Sequence, residues 1–491
     1  MSALKVRLLV IAVVLAGSAC TDTATPASEP GTYVVGVREP ASLLPARLTD
    51  LTGQLIAGAL WTPLTTHDPE THEVKPLAAL SVTSPDQVVW TIKLRPGVRF
   101  HDGSAVTARS YTGAWQAAIA ERWPGASVLT DVMGAKDMRV VDDLTIELVL
   151  ARPFTQLPLV LSSLALLPLP DSVLASRDWA GFGAKPIGTG PYRLDGQWRD
   201  GVRLVRFEGY QGYARGNARE IVVRLVNDPG SQYEQVRAGT LDLASAVPGS
   251  RHDAMRTDFG NRHVVVPLPE ATYLRFPLSD ARFRDPAVRH AVALAVDRAA
   301  LEAGPLDRQV DPARSLLPPS VALPQRSAVC RPCNHDAAAA KSLLGQVEGF
   351  AGPVNVYHDA AQQPWVGALV AQLRDALGLD VVAKPLGEGQ DPDGLVVVSR
   401  PLFTPSAREP MVGIPGYAPA GFAELLAAAD AATEPAERDQ LYRVAENQLL
   451  RDLPLVPLWS RHAHAVWSER IRVGPFDPVR ILDLGAVDVA G

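Results

Sequence analysis

The sequence predicts a mixed α/β protein made of several lobes. Its 491 residues correspond to roughly three domain-sized units at about 150 residues per domain. Hydrophobic residues make up 47% of the chain and charged residues 20%, which supports buried cores and excludes a disordered polypeptide. Segments with the two-residue period of a strand alternate with segments of helical period, a pattern typical of α/β lobes.

The amino terminus has the layout of a bacterial signal peptide. Lys5 and Arg7 precede an apolar run at 8–16 that is too short to span a bilayer, so we expect this segment to direct export. Residues 15–20 read Leu-Ala-Gly-Ser-Ala-Cys and resemble a lipobox, which implies a lipid on Cys20.

The cleavage chemistry leaves an alternative open. Gly17 stands where lipoboxes favour Leu or Val, so an ordinary signal peptidase could instead cut after Ala19. In both cases residues 1–19 are a signal peptide that is removed. Residues 20–32 are polar or small, and they predict a flexible tether.

Hydrophobic periodicity predicts the first elements of the folded part. From Val88 to Leu94 every second residue is apolar, as on the buried face of a strand. An Asp cap followed by proline marks the start of a later helix. The predicted strands are 32–37 and 87–94, and the predicted helices are 106–120, one that begins at Asp285-Pro286, and 434–451.

Charge and motif content argue against nucleic-acid binding and against the common hydrolase motifs. Lys+Arg 47 against Asp+Glu 53 gives a net charge of -6 without any concentrated basic stretch, so nucleic acid is not an expected partner. No Gly-x-Ser-x-Gly or His-Glu-x-x-His motif occurs, and the Ser-x-x-Lys match at 2–5 lies in the signal peptide. A secreted hydrolase with distant catalytic residues stays open as the alternative.

The segment 60–115 carries several motifs in a characteristic order. Pro-Leu-Ala-Ala at 76–79 is followed by Trp-Thr-Ile-Lys-Leu-Arg-Pro-Gly-Val-Arg-Phe-His-Asp-Gly at 90–103. This segment resembles the signature region of the peptide/nickel family (family 5) of bacterial ABC-transporter extracytoplasmic solute-binding lipoproteins. Two residues depart from the family pattern, because Ala78 replaces Leu and Ser110 replaces Asp.

The resemblance continues downstream and covers about residues 33–470. Residues 187–192 read Ile-Gly-Thr-Gly-Pro-Tyr, which is similar to the family's Gly-Thr-Gly-Pro-Tyr turn. Further segments resemble the family in the same order, at 238–243, 285–298 and 442–459.

The resemblance implies a fold and a division into lobes. It implies a bilobal periplasmic-binding-protein-like fold of the larger three-lobe type, with mixed sheets, flanking helices and a hinge. Lobe I is expected to combine 33–60, 186–268 and 456–491, with lobe II at 61–185 and lobe III at 269–455.

The resemblance also implies a function without catalysis. The expected role is the solute-binding component of an ABC importer, which captures a peptide or similar small organic solute between lobes and delivers it to the permease subunits. We expect a monomer, no cofactor, and a lipid anchor on the outer face of the cytoplasmic membrane. A non-transport ligand sensor on the same fold is a further alternative.

Cys330 and Cys333 form a Cys-x-x-Cys motif behind a proline-rich loop. A redox site of this spacing would start a helix after a strand, and His335 could complete a metal site. We predict a structural disulfide because the expected compartment is oxidising. His462 and His464 alternate on one face of a strand with no carboxylate or cysteine at ligand spacing, so we predict a solvated face and no metal.

The ligand contacts are predicted from lobe edges. The family's peptide binders carry a Trp and an Asp in a segment that corresponds to 395–405 here, and this chain has neither, so the ligand could be a peptide, opine, sugar or metallophore. Arg400 stands there instead, and its planar fork suits an anionic group. The candidate contacts are Arg47, Leu48, Thr49, Asp50, Trp123, Arg400, Phe403 and Thr404.

Overall fold

The computed structural model describes residues 31–68, 71, 73–196, 198, 202–212, 216–321, 323, 329–387, 389–474 and 482–490. The signal peptide and the lipidation site Cys20 lie outside these residues. Strands and helices alternate along the described chain, which confirms the predicted α/β class.

The strands include both elements predicted from the sequence, the one at 32–37 from its β-branched and aromatic residues and the one close to 87–94 from alternation. In chain order they are β1 (Thr32–Val37), β2 (Thr65–His67), β3 (Val74–Pro76), β4 (Ala79–Thr83), β5 (Val89–Leu94), β6 (Ala135–Asp142), β7 (Thr145–Leu150), β8 (Tyr192–Asp195), β9 (Val202–Arg206), β10 (Glu220–Leu225), β11 (Leu243–Ala244), β12 (His263–Arg275), β13 (Val310–Pro312), β14 (Val354–His358), β15 (Val381–Pro385), β16 (Leu395–Pro401), β17 (Leu455–Trp467), β18 (Ile471–Arg472) and β19 (Asp488–Val489).

The helices include the three predicted ones as α2, α8 and α13 of the following series. They are α1 (Leu51–Leu60), α2 (Ala108–Ala120), α3 (Leu157–Val160), α4 (Asp171–Ser176), α5 (Trp179–Ala184), α6 (Pro229–Arg237), α7 (Met255–Phe259), α8 (Pro286–Ala295), α9 (Arg298–Ala303), α10 (Ala337–Gly345), α11 (Gln363–Leu377), α12 (Phe422–Ala431) and α13 (Pro435–Asp452). Ser110, which replaces the Asp of the family pattern, lies in the first turn of α2. It forms a capping box with Thr107 and so stabilises the start of the helix.

One large sheet runs through most of the molecule. Its strand order is β15, β14, β16, β12, β17, β11, β1, β10, β9, β8, with β13 added beside β17. A separate four-stranded antiparallel sheet has the order β4, β5, β7, β6. The large sheet therefore continues from one set of lobes to the other through β12 and β17.

Two main hydrophobic cores divide the chain. The first core is built mostly from residues 33–225 and 465–487, so the predicted lobes I and II pack as one body, which we call the first unit. The second core is built from residues 271–459 and defines the second unit. The lobe boundaries themselves stay a prediction.

Two long antiparallel strands, β12 and β17, connect the units. Their pairing runs from His263 with Val466 in the first unit to Arg275 with Leu455 in the second. The register shifts between Pro267 and Ala271, where proline removes a backbone donor. This interrupted ladder is the natural place for the chain to bend.

Two sequence motifs meet within the first unit. Nδ1 of His101 accepts a hydrogen bond from the Gly188 amide at 3.1 Å, and Nε2 lies 3.1 Å from the Gly190 carbonyl oxygen. A Cβ on Gly188 would lie 1.9 Å from the Leu60 carbonyl oxygen, so this contact requires glycine. Burial lowers the pKa of His101 to about 4.

Candidate functional site

The two units meet in an ion-pair cluster around the buried carboxylate of Asp430. Asp430 of α12 is in the second unit, and its Oδ2 accepts hydrogen bonds from Nε of Arg152 and Nη1 of Arg408, both at 2.7 Å. Arg152 follows β7 in the first unit. Both arginines also donate to the Val132 carbonyl oxygen, at 2.9 Å and 3.0 Å. The cluster therefore ties the two units together.

Hydrogen bonds from uncharged groups extend this contact. The Thr155 amide donates to the Asp430 carbonyl oxygen at 2.8 Å. Ser406 Oγ donates to Oε1 of Gln156 at 2.7 Å, and the Tyr442 hydroxyl donates to Oδ1 of Asp430 at 2.8 Å. Each partner of the carboxylate is itself fixed, so the interface has a specific geometry.

A cavity of about 720 Å³ lies next to the cluster. Fifteen of its sixteen lining residues belong to the second unit, and Arg152 comes from the first. Its polar wall contains Arg152 and Arg408, and its apolar wall comes from the segment after β16 and from α12. The apolar residues include Met411, Val412, Ile414, Phe422 and Leu426. A small organic molecule fits a cavity of this size.

Charged groups from both units approach Gly413 at the cavity. A Cβ built on Gly413 would lie 3.2 Å from Oδ2 of Asp131, which belongs to the first unit. The same point is 3.7 Å from Nη2 of Arg400, which belongs to β16. Gly413 has a φ of 68°, so both the space and the backbone favour glycine here.

The comparison with protein families decides the assignment. A model of bacterial extracellular solute-binding proteins, family 5 Middle, matches residues 73–399, which is more than half of the chain. The chain belongs to this family. The predicted family is thereby confirmed, and so is the solute-binding role that it implies.

Relatives and solved structures agree with the family assignment. The glutathione-binding protein GsiB of Escherichia coli K12 is 24% identical over 450 residues, with 85% of this chain and 86% of the relative covered. The E. coli murein tripeptide binding protein MppA is 19% identical with a TM-score of 0.75, and the match covers 94% and 98% of the two chains. AgaA of A. tumefaciens R10, solved with agropinic acid, is 19% identical with a TM-score of 0.76, covering 94% and 99%. These likenesses confirm the predicted bilobal periplasmic-binding-protein-like fold.

The predicted contacts at 47–50 lie around the start of α1. Arg47 is exposed and Leu48 is buried in the first core. Asp50 caps α1, because its Oδ1 accepts from the Gly53 amide at 2.9 Å, and its Oδ2 accepts from Ala41. Thr49 is half-buried between them. None of the four lines the interlobe cavity, and a ligand contact by them stays a prediction.

Trp123 has a packing role in the structure. It is buried in the first core, with its ring centroid 5.1 Å from that of Trp179 in an edge-to-face contact. A ligand contact by Trp123 also stays a prediction.

The predicted contacts in the second unit lie at the end of β16 and in the loop that follows it, and this loop reaches the first unit. Nη2 of Arg400 donates to the Val412 carbonyl oxygen at 3.1 Å, so the side chain supports the cavity wall. Phe403 packs into the first core. The amides of Phe403 and Thr404 both donate to the buried carboxylate of Glu409, at 2.8 Å and 2.7 Å. Burial raises the pKa of Glu409, although these hydrogen bonds by themselves lower it.

The prediction that His462 and His464 form a solvated face of β17 is wrong about the solvent. His462 and His464 do share a face, but that face is covered by His252 rather than by solvent. The ring centroids of His252 and His464 are 3.6 Å apart in a stacked pair, and those of His462 and His464 are 4.6 Å apart. The described residues contain no group of three or more His, Cys, Asp or Glu side chains arranged to hold a metal.

Cys330 and Cys333 are joined in the structure, with their Cα atoms 5.2 Å apart. Both side chains are buried in the second core. Thiol titration of the denatured, unreduced mature chain tests the disulfide in solution. We expect no free thiol from this pair, and two free thiols would refute the bond.

No helix within the described ranges has the length and apolarity to cross a bilayer.

Proposed function

We propose that this protein is the extracytoplasmic solute-binding component of an ABC importer. It captures a peptide or similar small organic solute between the first and second units and delivers it to the membrane permease. The observation that carries this proposal is a cavity of about 720 Å³ on the second unit, with Arg152 of the first unit in its wall, between two separately cored units that β12 and β17 connect.

The geometry gives a mechanism for capture. Bending at the interrupted β12–β17 ladder separates the two units, and closing brings Arg152 onto Asp430. A solute that contacts both walls favours the closed form by its difference in affinity for the two forms. A permease that recognises the closed form then reads whether a solute is bound.

The solute offers an anionic or neutral polar group to the second unit. The family's acidic anchor is absent from 395–405, and Arg400 lies behind the cavity wall at Val412. A guanidinium group attracts carboxylates and repels ammonium groups. Agropinic acid and a murein tripeptide, which the similar proteins above are named for binding, are the kind of solute that this chemistry would suit.

The protein acts at the outer face of the cytoplasmic membrane, held there as a monomer by a lipid on Cys20. The run 8–20 supports this location. A Cys20→Ser variant should appear in the soluble fraction, and its retention in the membrane fraction would contradict the anchor.

Mass spectrometry of small molecules released by denaturation tests the function. The protein is purified without added ligand and unfolded. The small molecules in its supernatant are compared with those released by an unrelated protein purified and unfolded in the same way. We expect a stoichiometric organic solute that rebinds unchanged to the refolded protein. Turnover of the released compound on rebinding would instead support the hydrolase alternative.

A further inference from the structure

A glutamine side chain beside the connecting strands makes hydrogen bonds whose direction is fixed. Nε2 of Gln309, which directly precedes β13, donates to the Val247 carbonyl oxygen at 2.9 Å, and the same atom lies 3.2 Å from Nε2 of His252. A carbonyl oxygen can only accept, so the amide nitrogen of Gln309 faces both groups. Nε2 of His252 must then be an acceptor, on a neutral ring whose proton is on Nδ1.

This glutamine bridges the two units. Val247 packs in a small core with Val34 of β1 and Ala244 of β11, and the helical turn Gly249–Ala254 that carries His252 follows it directly. Gln309 comes from the other side of the hinge, since the next residue, Val310, is buried in the second core.

The bridge lies where the connecting strands are interrupted. Along one edge of β17, residues 459–461 pair with β13 of the second unit and residues 466–467 pair with β11 of the first. The edge passes from one unit to the other between them, where the His462 amide donates to the Gln309 carbonyl oxygen at 3.3 Å. The opposite edge pairs with β12, and its register shifts directly after Pro267, the partner of His462. A bend of β17 at this point therefore changes the distance from Gln309 to His252.

Protonation of His252 is incompatible with the bridge. An imidazolium carries a hydrogen on both nitrogens, so its Nε2 would meet the amide nitrogen of Gln309 as a second donor. A half-turn of the amide would instead place its oxygen against the Val247 carbonyl oxygen, and two acceptors would then face each other. Neither orientation satisfies Val247 and a protonated His252 together.

The surroundings of His252 keep the ring neutral near pH 7. Burial lowers its pKa, and the nearby His462 and Arg308 lower it further, whereas a hydrogen bond to Val247 and the charge of Asp307 raise it. The net direction is downward, so the ring takes up a proton only in acid.

The remaining titratable groups at this point leave that direction unchanged. His464 stacks on His252 with ring centroids 3.6 Å apart, and its own pKa is lowered to about 3 by burial. Asp253 pairs with Arg308, and Asp311 lies 3.2 Å from Nδ1 of His462. The ring that covers His252 therefore brings no negative charge to it.

We propose that His252 and Gln309 form a proton-sensitive latch at the hinge, which holds the units closed while His252 is neutral and releases them when it is protonated. Opening frees Nε2 of His252 from the amide, so the open form binds the proton more tightly and gains population as the pH falls. This inference goes beyond the proposed function, because it adds control by pH and holds for any solute. It rests on the hinge bending described there.

The distance between two spin labels measures the opening. Gln116 of α2 and Glu437 of α13 are exposed, one on each unit, and both are replaced by cysteine in the mature chain carrying Cys20→Ser. Solute is removed by unfolding, dialysis and refolding with the disulfide intact. Double electron–electron resonance then records the distance distribution from pH 7.5 to pH 4.5. We expect the ratio of open to closed molecules to rise about fivefold as His252 is protonated, the effect of losing one hydrogen bond between the units.

Two replacements of His252 bracket the response. His252→Gln offers an acceptor to the Gln309 amide and cannot be protonated, so the ratio should keep its pH 7.5 value throughout. His252→Phe keeps a ring against His464 but accepts no hydrogen bond, so the ratio should be raised at every pH. His290→Gln is the matched control and should respond as the wild type does, because His290 lies 2.7 Å from the Arg451 carbonyl oxygen within the second unit.

Two outcomes would overturn the inference: a wild-type ratio that does not change with pH, or a wild-type response that survives in His252→Gln. If His252→Phe does not fold, as its melting temperature at pH 7.5 shows, His252→Gln decides alone. Failure of the proposed function is seen separately. A protein that opens in acid but releases no solute on denaturation keeps the latch and refutes the importer role, and a protein that captures a solute without responding to pH does the reverse.

Discussion

The ion pair near the connecting strands and the ion-pair cluster beside the cavity differ in how much water reaches them. Near the connecting strands, Arg308 pairs with Asp253, and these side chains are 43% and 84% exposed. At the cavity, Asp430 is fully buried between Arg152 and Arg408. Exposed ion pairs contribute little to stability, whereas a buried charge depends strongly on its partners.

The comparison indicates different roles for the two contacts. The exposed pair is solvated whether the units are apart or together, so it changes little when they move. The buried cluster is complete only when Arg152 reaches α12, because Arg408 and Asp430 both belong to the second unit. In the proposed opening, Arg152 leaves the carboxylate and Arg408 stays paired with it.

Asp430→Asn tests this difference most severely. It leaves two guanidinium groups without a carboxylate, and breaking a buried ion pair costs about 3 to 5 kcal/mol. We expect the free energy of unfolding, measured by urea denaturation, to fall by this order, and solute affinity to fall with it. The matched change at the exposed contact, Asp253→Asn, should have little effect on either. Equal losses in the two variants would contradict the comparison.

Arg400→Ala should have a smaller effect that appears in binding. If the solute places an anionic group near Arg400, removing the guanidinium should weaken affinity by about 1.5 to 3 kcal/mol, the range for a hydrogen bond to a charged group. Calorimetry with the solute released by denaturation measures this loss. Unchanged affinity, or tight binding that requires a free ligand amine, would overturn the role of Arg400.

The fold could be predicted from sequence because its signals are local. β-Branched and aromatic residues identified β1, alternating apolar residues identified β5, and the Asp-Pro start identified α8. The motif containing His101 and the Gly-Thr-Gly turn were identified by their resemblance to the family. In the structure His101 bonds to this turn, and Gly188 of the turn lies against the Leu60 carbonyl oxygen.

The candidate site could not be predicted in the same way. Arg152 and Asp430 are separated by 278 residues, and no local pattern marks either as half of an ion pair. The strand period placed His462 and His464 on one face, but it could not show that His252 covers that face.

The same histidine cluster gives the smallest predicted effect, a dependence of stability on pH. His464 is 4% exposed, its Nδ1 has no hydrogen-bond partner among the described residues, and burial lowers its pKa to about 3. Burial also lowers the pKa of His252, and Arg308 opposes protonation of both rings.

The sign follows from proton binding. The unfolded chain protonates His464 near pH 6.5, while the folded chain does so only near 3, so stability is complete above about pH 6.5 and falls as the pH drops towards 3. At pH 5.5 the loss from this residue is about 1 kcal/mol, since one pKa unit corresponds to about 1.4 kcal/mol. His464→Phe preserves the stacking on His252 and cannot be protonated, so its free energy of unfolding should fall less between pH 7 and pH 5.5 than that of the wild type. His101, with its own pKa of about 4, keeps a residual slope in both proteins. Parallel slopes for the two proteins would show that His464 is already protonated or exposed in solution, and that the contact near the connecting strands is looser than the structure has it.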